Sequence, residues 1–293
     1  MFSDILTPLP AMGIDFTIVP GKGPKIRDTI RDERDLDRIS VLTDVEREVP
    51  FLGPILQVSG YPSVRASLTP SQALRKETEG KTTLIGFIGA PWTLVAYSVE
   101  GGHSKLCAEM KRMCNEAPAL AHAVLGRYTD SLCLYASHQI ENGAQVLQVF
   151  ESWAHHLTEQ QFNEFAKPYA DRIASYLKAR HPEVPVVYFA NGGSCFLHSQ
   201  SDMAYDALAV DWRISMAHAR RVVGESRILQ GNVDPIVLYG SEERIFSAVE
   251  EVLREAGGRH VLNLGHGVEK DTPESAVAAF VNAAKSIRTR KHQ

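Results

Sequence analysis

The sequence predicts an α/β fold of the (β/α)8 TIM barrel type. Short apolar runs alternate along the chain with stretches of helical periodicity, which argues for parallel strands. Each run ends in glycine or a polar residue, as the strands of such a barrel do at their functional face. The competing open, doubly wound sheet lacks support, because no Gly-x-Gly-x-x-Gly follows any run.

Leu84 to Gly102 shows the repeating unit in full. Leu84 to Gly89 is a buried strand in pattern. Gly89-Ala90-Pro91 is a turn, because proline fixes its own φ and pushes Ala90 away from the helical region. A helix follows and closes at Gly101-Gly102.

In chain order, Met1 to Leu6 is strand-like and ends near Asp4. Ile14 to Val19 alternates as a short strand, and Pro20 to Pro24 reads as a loop. Gly21-Lys22-Gly23 lacks the residues of a phosphate loop and is a solvated basic turn. Asp35 to Val49 suits one or two short helices. Residues 57–73, with Gly60-Tyr61-Pro62, have the irregular look of an insertion, and Pro70 to Thr78 resembles a short helix.

Ala117 to Ile140 is a long helix whose face is Leu120, Val124, Tyr128, Leu132 and Tyr135. Ala144 to Phe150 is a strand ending at Glu151-Ser152. Thr158 to Gln161 is a capping box, opening a helix with Phe162, Phe165, Tyr169, Ile173 and Leu177 inside. Strands follow at Val184 to Ala190, Ala207 to Val210, Arg227 to Leu229 and His260 to Leu264. Ser241 caps a helix carrying Ile245, Phe246, Val249, Val252 and Leu253. Thr272-Pro273 opens a last helix with a stripe of Val277, Phe280, Val281, Ala284 and Ile287, ahead of a frayed basic tail from Arg288. Seven strand candidates result, ending near Asp4, Gly89, Glu151, Asn191, Asp211, Gly231 and Gly265.

The chain has 293 residues, 44% hydrophobic and 23% charged, an ordinary globular balance. A net charge of −4 argues against a non-specific nucleic-acid binder. No apolar run approaches the roughly 20 residues of a membrane span. Cys107, Cys114, Cys133 and Cys195 form no Cys-x-x-Cys pair and read as reduced thiols.

Asp4, Tyr97, Ser152, Asn191, Asp211, Asn232 and His266 are the polar residues at or near the strand ends, which converge on one mouth in a barrel. Ser152 lacks the Gly-x-Ser-x-Gly elbow of a nucleophile and suits a hydrogen-bond donor. Tyr97 has a core reading as well. Asp211, followed by Trp212-Arg213, suits a cap or an ion pair. The glycines beside His266 permit close approach of a ligand, although a histidine satisfied by a carbonyl explains the pattern equally. His155-His156 has no third ligand at metal spacing, and no His-x-Cys pair with a later Cys offers a zinc site.

Gly86-Phe87-Ile88-Gly89-Ala90-Pro91-Trp92-Thr93-Leu94, Tyr97 and Val99-Glu100-Gly101-Gly102 resemble the uroporphyrinogen decarboxylase family. So do Phe2-Ser3-Asp4-Ile5-Leu6, Val19 to Pro24, Phe150-Glu151-Ser152-Trp153-Ala154, Leu229 to Pro235, and Asn263-Leu264-Gly265-His266-Gly267. The resemblance runs in order from Phe2 to about Ile287. Thr7-Pro8-Leu9-Pro10 and Asn191-Gly192-Gly193 are similar to the plastid and cyanobacterial branch.

The resemblance implies one barrel domain over residues 1–293. It implies decarboxylation of the four acetate arms of uroporphyrinogen III to give coproporphyrinogen III, in haem and chlorophyll synthesis, with no cofactor and no metal. Asp4 matches the aspartate that accepts hydrogen bonds from the pyrrole N–H groups and stabilises the developing cation. Tyr97, Ser152 and His266 match the residues that hold the substrate. The implied partners are the substrate and a second copy in a homodimer, without nucleic acid or membrane. The implied location is the plastid stroma in a photosynthetic eukaryote and the cytoplasm otherwise. The family carries an arginine-rich first strand ahead of its Phe-Ser-Asp motif, and the sequence opens after it. A barrel short of its first strand, with weak or no activity, is therefore expected. Two further readings stand beside this one: a non-catalytic fragment that binds porphyrinogens or pairs with an intact subunit, and a methyltransferase of the same superfamily.

Overall fold

The computed structural model describes residues 4–49 and 75–291, with the backbone alone for 288–291. Residues 57–73 and the first three residues of the Met1 to Leu6 segment lie outside these. Strands β3 (Ile85–Gly89), β4 (Val146–Glu151), β5 (Val186–Ala190), β6 (Ala207–Ala209), β7 (Ile228–Val233) and β8 (His260–Leu264) are sheet neighbours in sequence order, with helices in the connections. The register is parallel for β3·β4, β6·β7 and β7·β8. This is the βα repeat expected of the fold class. Two compact units divide within β5, Met1–Val187 and Tyr188–Gln293.

In the first unit, residues 5–9 form turns instead of continuing a strand. The Asp4 carboxylate accepts from Leu6 N at 2.9 Å, a local bond that bends the chain, and Pro8 and Pro10 withhold ladder donors. β1 (Phe16–Val19) and β2 (Gly23–Ile26) form an antiparallel hairpin, with Val19 opposite Gly23. The expected loop is thus shorter, and Gly23-Pro24 belongs to β2. The hairpin docks on the end of the helix Pro91–Glu100, where Ile26 N donates to Gly101 O at 2.9 Å. Gly101, at φ +86°, closes that helix in the left-handed region.

The helix Pro118–Glu141 buries Leu120, Val124, Tyr128, Leu132 and Tyr135, the face its periodicity marks. From it Gln139 reaches β3, accepting from Phe87 N and donating to Phe87 O, each at 2.9 Å. One side-chain amide thereby satisfies both backbone groups of a strand residue. The helix Ala108–Glu116 is an element beyond those expected from the sequence. The Thr158 capping box forms, but a π-helical stretch, Phe162–Ala166, precedes the helix Lys167–Arg180. Pro168 has no N–H to donate, which breaks the regular ladder there. Tyr169 is half-buried, while Phe162, Phe165, Ile173 and Leu177 are inside as expected.

In the second unit the helix Glu242–Ala256 packs against the last helix, Glu274–Lys291, through Phe246, Val249, Val252, Leu253, Phe280, Ala284 and Ile287. Val277 and Val281, expected in that stripe, are 39% and 41% exposed, while Ala276 and Ala283 are buried in their place. The backbone stays helical to Lys291, beyond the expected fraying point. Among the described residues no helix is long and apolar enough to cross a membrane.

Candidate active site

The strand ends of the first unit bring Asp4, Tyr97 and Trp153 into one neighbourhood. Gly89 ends β3, and a Cβ there would stand 3.2 Å from Ile5 Cβ, so the Asp4 turn sits against the strand end. Tyr97 lies on the helix that starts at Pro91, and its ring meets Trp153 at a centroid distance of 4.4 Å. Burial raises the Tyr97 hydroxyl above its ordinary pKa. A hydrogen bond with Trp153 works the other way, and the nearby Asp4 charge adds to the rise. Tyr97 is thus a neutral hydrogen-bonding group at neutral pH. Asp4 itself is exposed. Ser152 is half-buried in the turn between Glu151 and Trp153, both buried.

Sequence reasoning gave Glu151 no role beyond ending its strand. Its side chain is fully buried and accepts from Thr93 N at 2.9 Å and Thr93 Oγ1 at 2.5 Å. Thr93 Oγ1 in turn accepts from Trp153 N at 3.2 Å. The end of β4 is thereby tied to the first turn of the helix that carries Tyr97, an N-terminal position that favours a carboxylate. The signal was present in the Phe150-Glu151-Ser152 run, but the partner lies 58 positions away.

The second unit builds its strand ends around Asp211, which is fully buried. Its carboxylate accepts from Gly192 N at 2.7 Å, Ser194 Oγ at 2.9 Å and Arg213 N at 2.9 Å. It also forms an ion pair with Arg213 Nη1 at 3.3 Å, one of the two readings its sequence allowed. Asn232 donates to Asp211 O and Ile214 O, pinning the end of β7 to the same loop. Gly265 packs so closely that a Cβ would fall 2.4 Å from Trp212 N. His266, exposed, then meets the Trp212 ring edge-on at 5.8 Å. Its Nδ1 lies 3.4 Å from Gly267 O, a long hydrogen bond. His260 Nε2 lies 2.6 Å from Gly231 O, and burial lowers its pKa.

Among the described residues no group of three or more His, Cys, Asp and Glu is placed to hold a metal. The His155 and His156 rings lie 4.1 Å apart, and burial, then the charges of His155, Lys111 and His103, hold His156 down at about 4. A groove of about 740 Å³ lies between the last two long helices, lined by Glu243, Phe246, Ala279 and Asn282 among others. It takes in none of the strand-end residues.

The uroporphyrinogen decarboxylase (URO-D) family model matches residues 1–287. The uroporphyrinogen decarboxylase of Trichodesmium erythraeum is 42% identical over 288 residues, which is 98% of this chain and 77% of that protein. Its counterpart from Hordeum vulgare is 40% identical over 289 residues, covering 98% and 83%. A solved methyltransferase from Methanosarcina mazei superposes with a TM-score of 0.79 at 20% identity, covering 98% of this chain and 80% of that one. A B12-independent methionine synthase from Shewanella sp. W3-18-1 reaches 0.58 at 11% identity, covering 94% and 75%. At these identities the two structures share the fold and no more. The family model and the relatives agree over nearly the whole chain, and the chain belongs to the uroporphyrinogen decarboxylase family.

Proposed function

We propose that this chain is a carboxy-lyase that converts uroporphyrinogen III to coproporphyrinogen III in haem and chlorophyll synthesis. The observation that carries the reading is the family match over residues 1–287. Asp4, Tyr97, Ser152 and His266 take the family's roles. A proton adds to a pyrrole carbon, and the ring becomes an electron sink. The bond from the acetate methylene to its carboxylate breaks, its electron pair neutralises the ring, and carbon dioxide leaves. The exocyclic carbon then takes a proton to become methyl, and loss of the ring proton restores the pyrrole. Each arm thus exchanges carbon dioxide for a proton.

Asp4 accepts hydrogen bonds from the pyrrole N–H groups and faces the developing cation, a use its exposed carboxylate suits. Tyr97 supports it as a neutral donor held against Trp153. Ser152 and His266 donate to substrate carboxylates. A homodimer is the proposed assembly, and sedimentation of the purified chain tests it. The cyanobacterial and barley relatives support a plastid stroma location in a photosynthetic eukaryote and a cytoplasmic one otherwise. Anaerobic incubation of the purified chain with uroporphyrinogen III tests the activity. Coproporphyrinogen III and four equivalents of carbon dioxide are expected, which would remove the expectation of weak or absent activity drawn from the sequence alone, and unchanged substrate overturns the assignment.

A further inference from the structure

We propose that Arg213 is a further substrate-binding residue, its guanidinium receiving a porphyrinogen carboxylate beside His266. The inference rests on the decarboxylase reading and adds to it a residue outside the set implied by family resemblance.

Arg213 follows β6 within the second unit, and its side chain is 47% exposed. Its guanidinium carbon lies 4.2 Å from the centroid of the Trp212 ring, a stacking geometry that fixes the plane of the fork. Nη1 donates to Asn191 Oδ1 and to Asp211 Oδ2, both at 3.3 Å. Two oxygens from two strand ends therefore hold Nη1, while the indole holds one face of the guanidinium. Nη2 and Nε make no hydrogen bond among the described residues. Two parallel donors on one edge are the arrangement that takes a carboxylate bidentately. The same indole that carries Arg213 on its face meets His266 at its edge. One tryptophan thus places a fixed cation next to the histidine already assigned to substrate.

The plainer role for Arg213 is to neutralise buried Asp211. The distances argue against that as its whole purpose. Gly192 N, Ser194 Oγ and the backbone N of Arg213 satisfy the carboxylate at 2.7–2.9 Å, whereas the guanidinium contact at 3.3 Å is the longest of the four. Two of those donors are backbone groups and survive any change of the Arg213 side chain. Asp211 serves as an anchor that aims the fork. A substrate bearing eight carboxylates supplies the anion.

The test compares the full chain with its Arg213→Gln and Arg213→Lys variants in two assays. Steady-state decarboxylation gives kcat and KM. Quenching of tryptophan fluorescence by uroporphyrinogen III, on an Asp4→Asn background that slows turnover, gives Kd. Loss of one charge-assisted pair is expected to raise KM and Kd about tenfold or more in Arg213→Gln, with kcat within about twofold. Lysine keeps the charge without the fork and is expected to recover part of the loss. The dependence of Kd on salt should flatten in Arg213→Gln. An unchanged Kd overturns the proposal, as does a joint fall of kcat and Tm at constant Kd, which marks a purely structural ion pair. If the parent chain binds uroporphyrinogen without decarboxylating it, the decarboxylase reading fails while the Kd comparison still decides Arg213. If the parent does not bind it, both fail.

Discussion

Thr93 gives both its backbone N–H and its hydroxyl to a single oxygen of Glu151, at 2.9 Å and 2.5 Å. The pair closes the junction where β4 ends and the Tyr97 helix begins. Thr93→Val removes the hydroxyl but keeps the shape. It leaves a buried carboxylate and the Trp153 N–H each short of one partner, at a cost of about 1–3 kcal/mol. Denaturant unfolding should show that loss, and Thr93→Ser should restore most of it. Equal stability of the valine and serine variants would refute the role given to this clamp.

Gly265 has no room for a side chain against the Trp212 backbone. Gly265→Ala should therefore displace the loop that carries His266. A stability loss of about 1–3 kcal/mol is expected, with a raised KM for uroporphyrinogen. A melting curve and KM indistinguishable from the parent's would show that the close approach does not set the position of His266.

His156 is held at about 4, below its ordinary value, by burial and the charges of His155, Lys111 and His103. Between about 6.5 and about 4 the unfolded chain takes up a proton at this site and the folded chain does not. His156 therefore makes the fold less stable as the pH falls through that window. Melting temperatures of the parent and His156→Gln should diverge on acidification, with the variant gaining relative to the parent. A constant difference from pH 7 to pH 4 would contradict the assignment.

Cys107, Cys114 and Cys133 are buried, and burial pushes each thiol up to about 12, while Cys195 is exposed. A thiol reagent at pH 8 should label Cys195 quickly and the other three only after unfolding. Peptide mapping checks this, and rapid labelling of a second cysteine in the native chain would be inconsistent with the packing.

The repeat of strand and helix was legible because most strands hold a short apolar run followed by glycine or a polar residue; β7, expected at Arg227 to Leu229, instead runs on through Gln230, Gly231 and Asn232 to Val233, because these residues keep the ladder to β8. The long helix Pro118–Glu141 showed its face because Leu120, Val124, Tyr128 and Leu132 keep one period. The Asp4 segment carries a strand-like apolar run, but the turn-forming power of aspartate and two nearby prolines overrides it. Val277 and Val281 misled for a different reason. The last helix packs through its alanines, which carry little hydrophobic signal but allow close approach. Within the candidate site, the proposed residues Asp4, Tyr97, Ser152 and His266 were legible as members of recognisable motifs. Glu151, Thr93 and the fork of Arg213 were not, because their roles exist only through partners distant in sequence.

The proposed role of Asp4 is tested most directly by kcat for Asp4→Asn with uroporphyrinogen III. Asparagine keeps the shape but loses the charge proposed to face the developing cation. A fall in kcat of about 100-fold or more is expected, the scale seen when one preorganised electrostatic group is removed, with Asp4→Glu retaining part of the rate. A kcat for Asp4→Asn within about twofold of the parent, at equal substrate affinity, would contradict it.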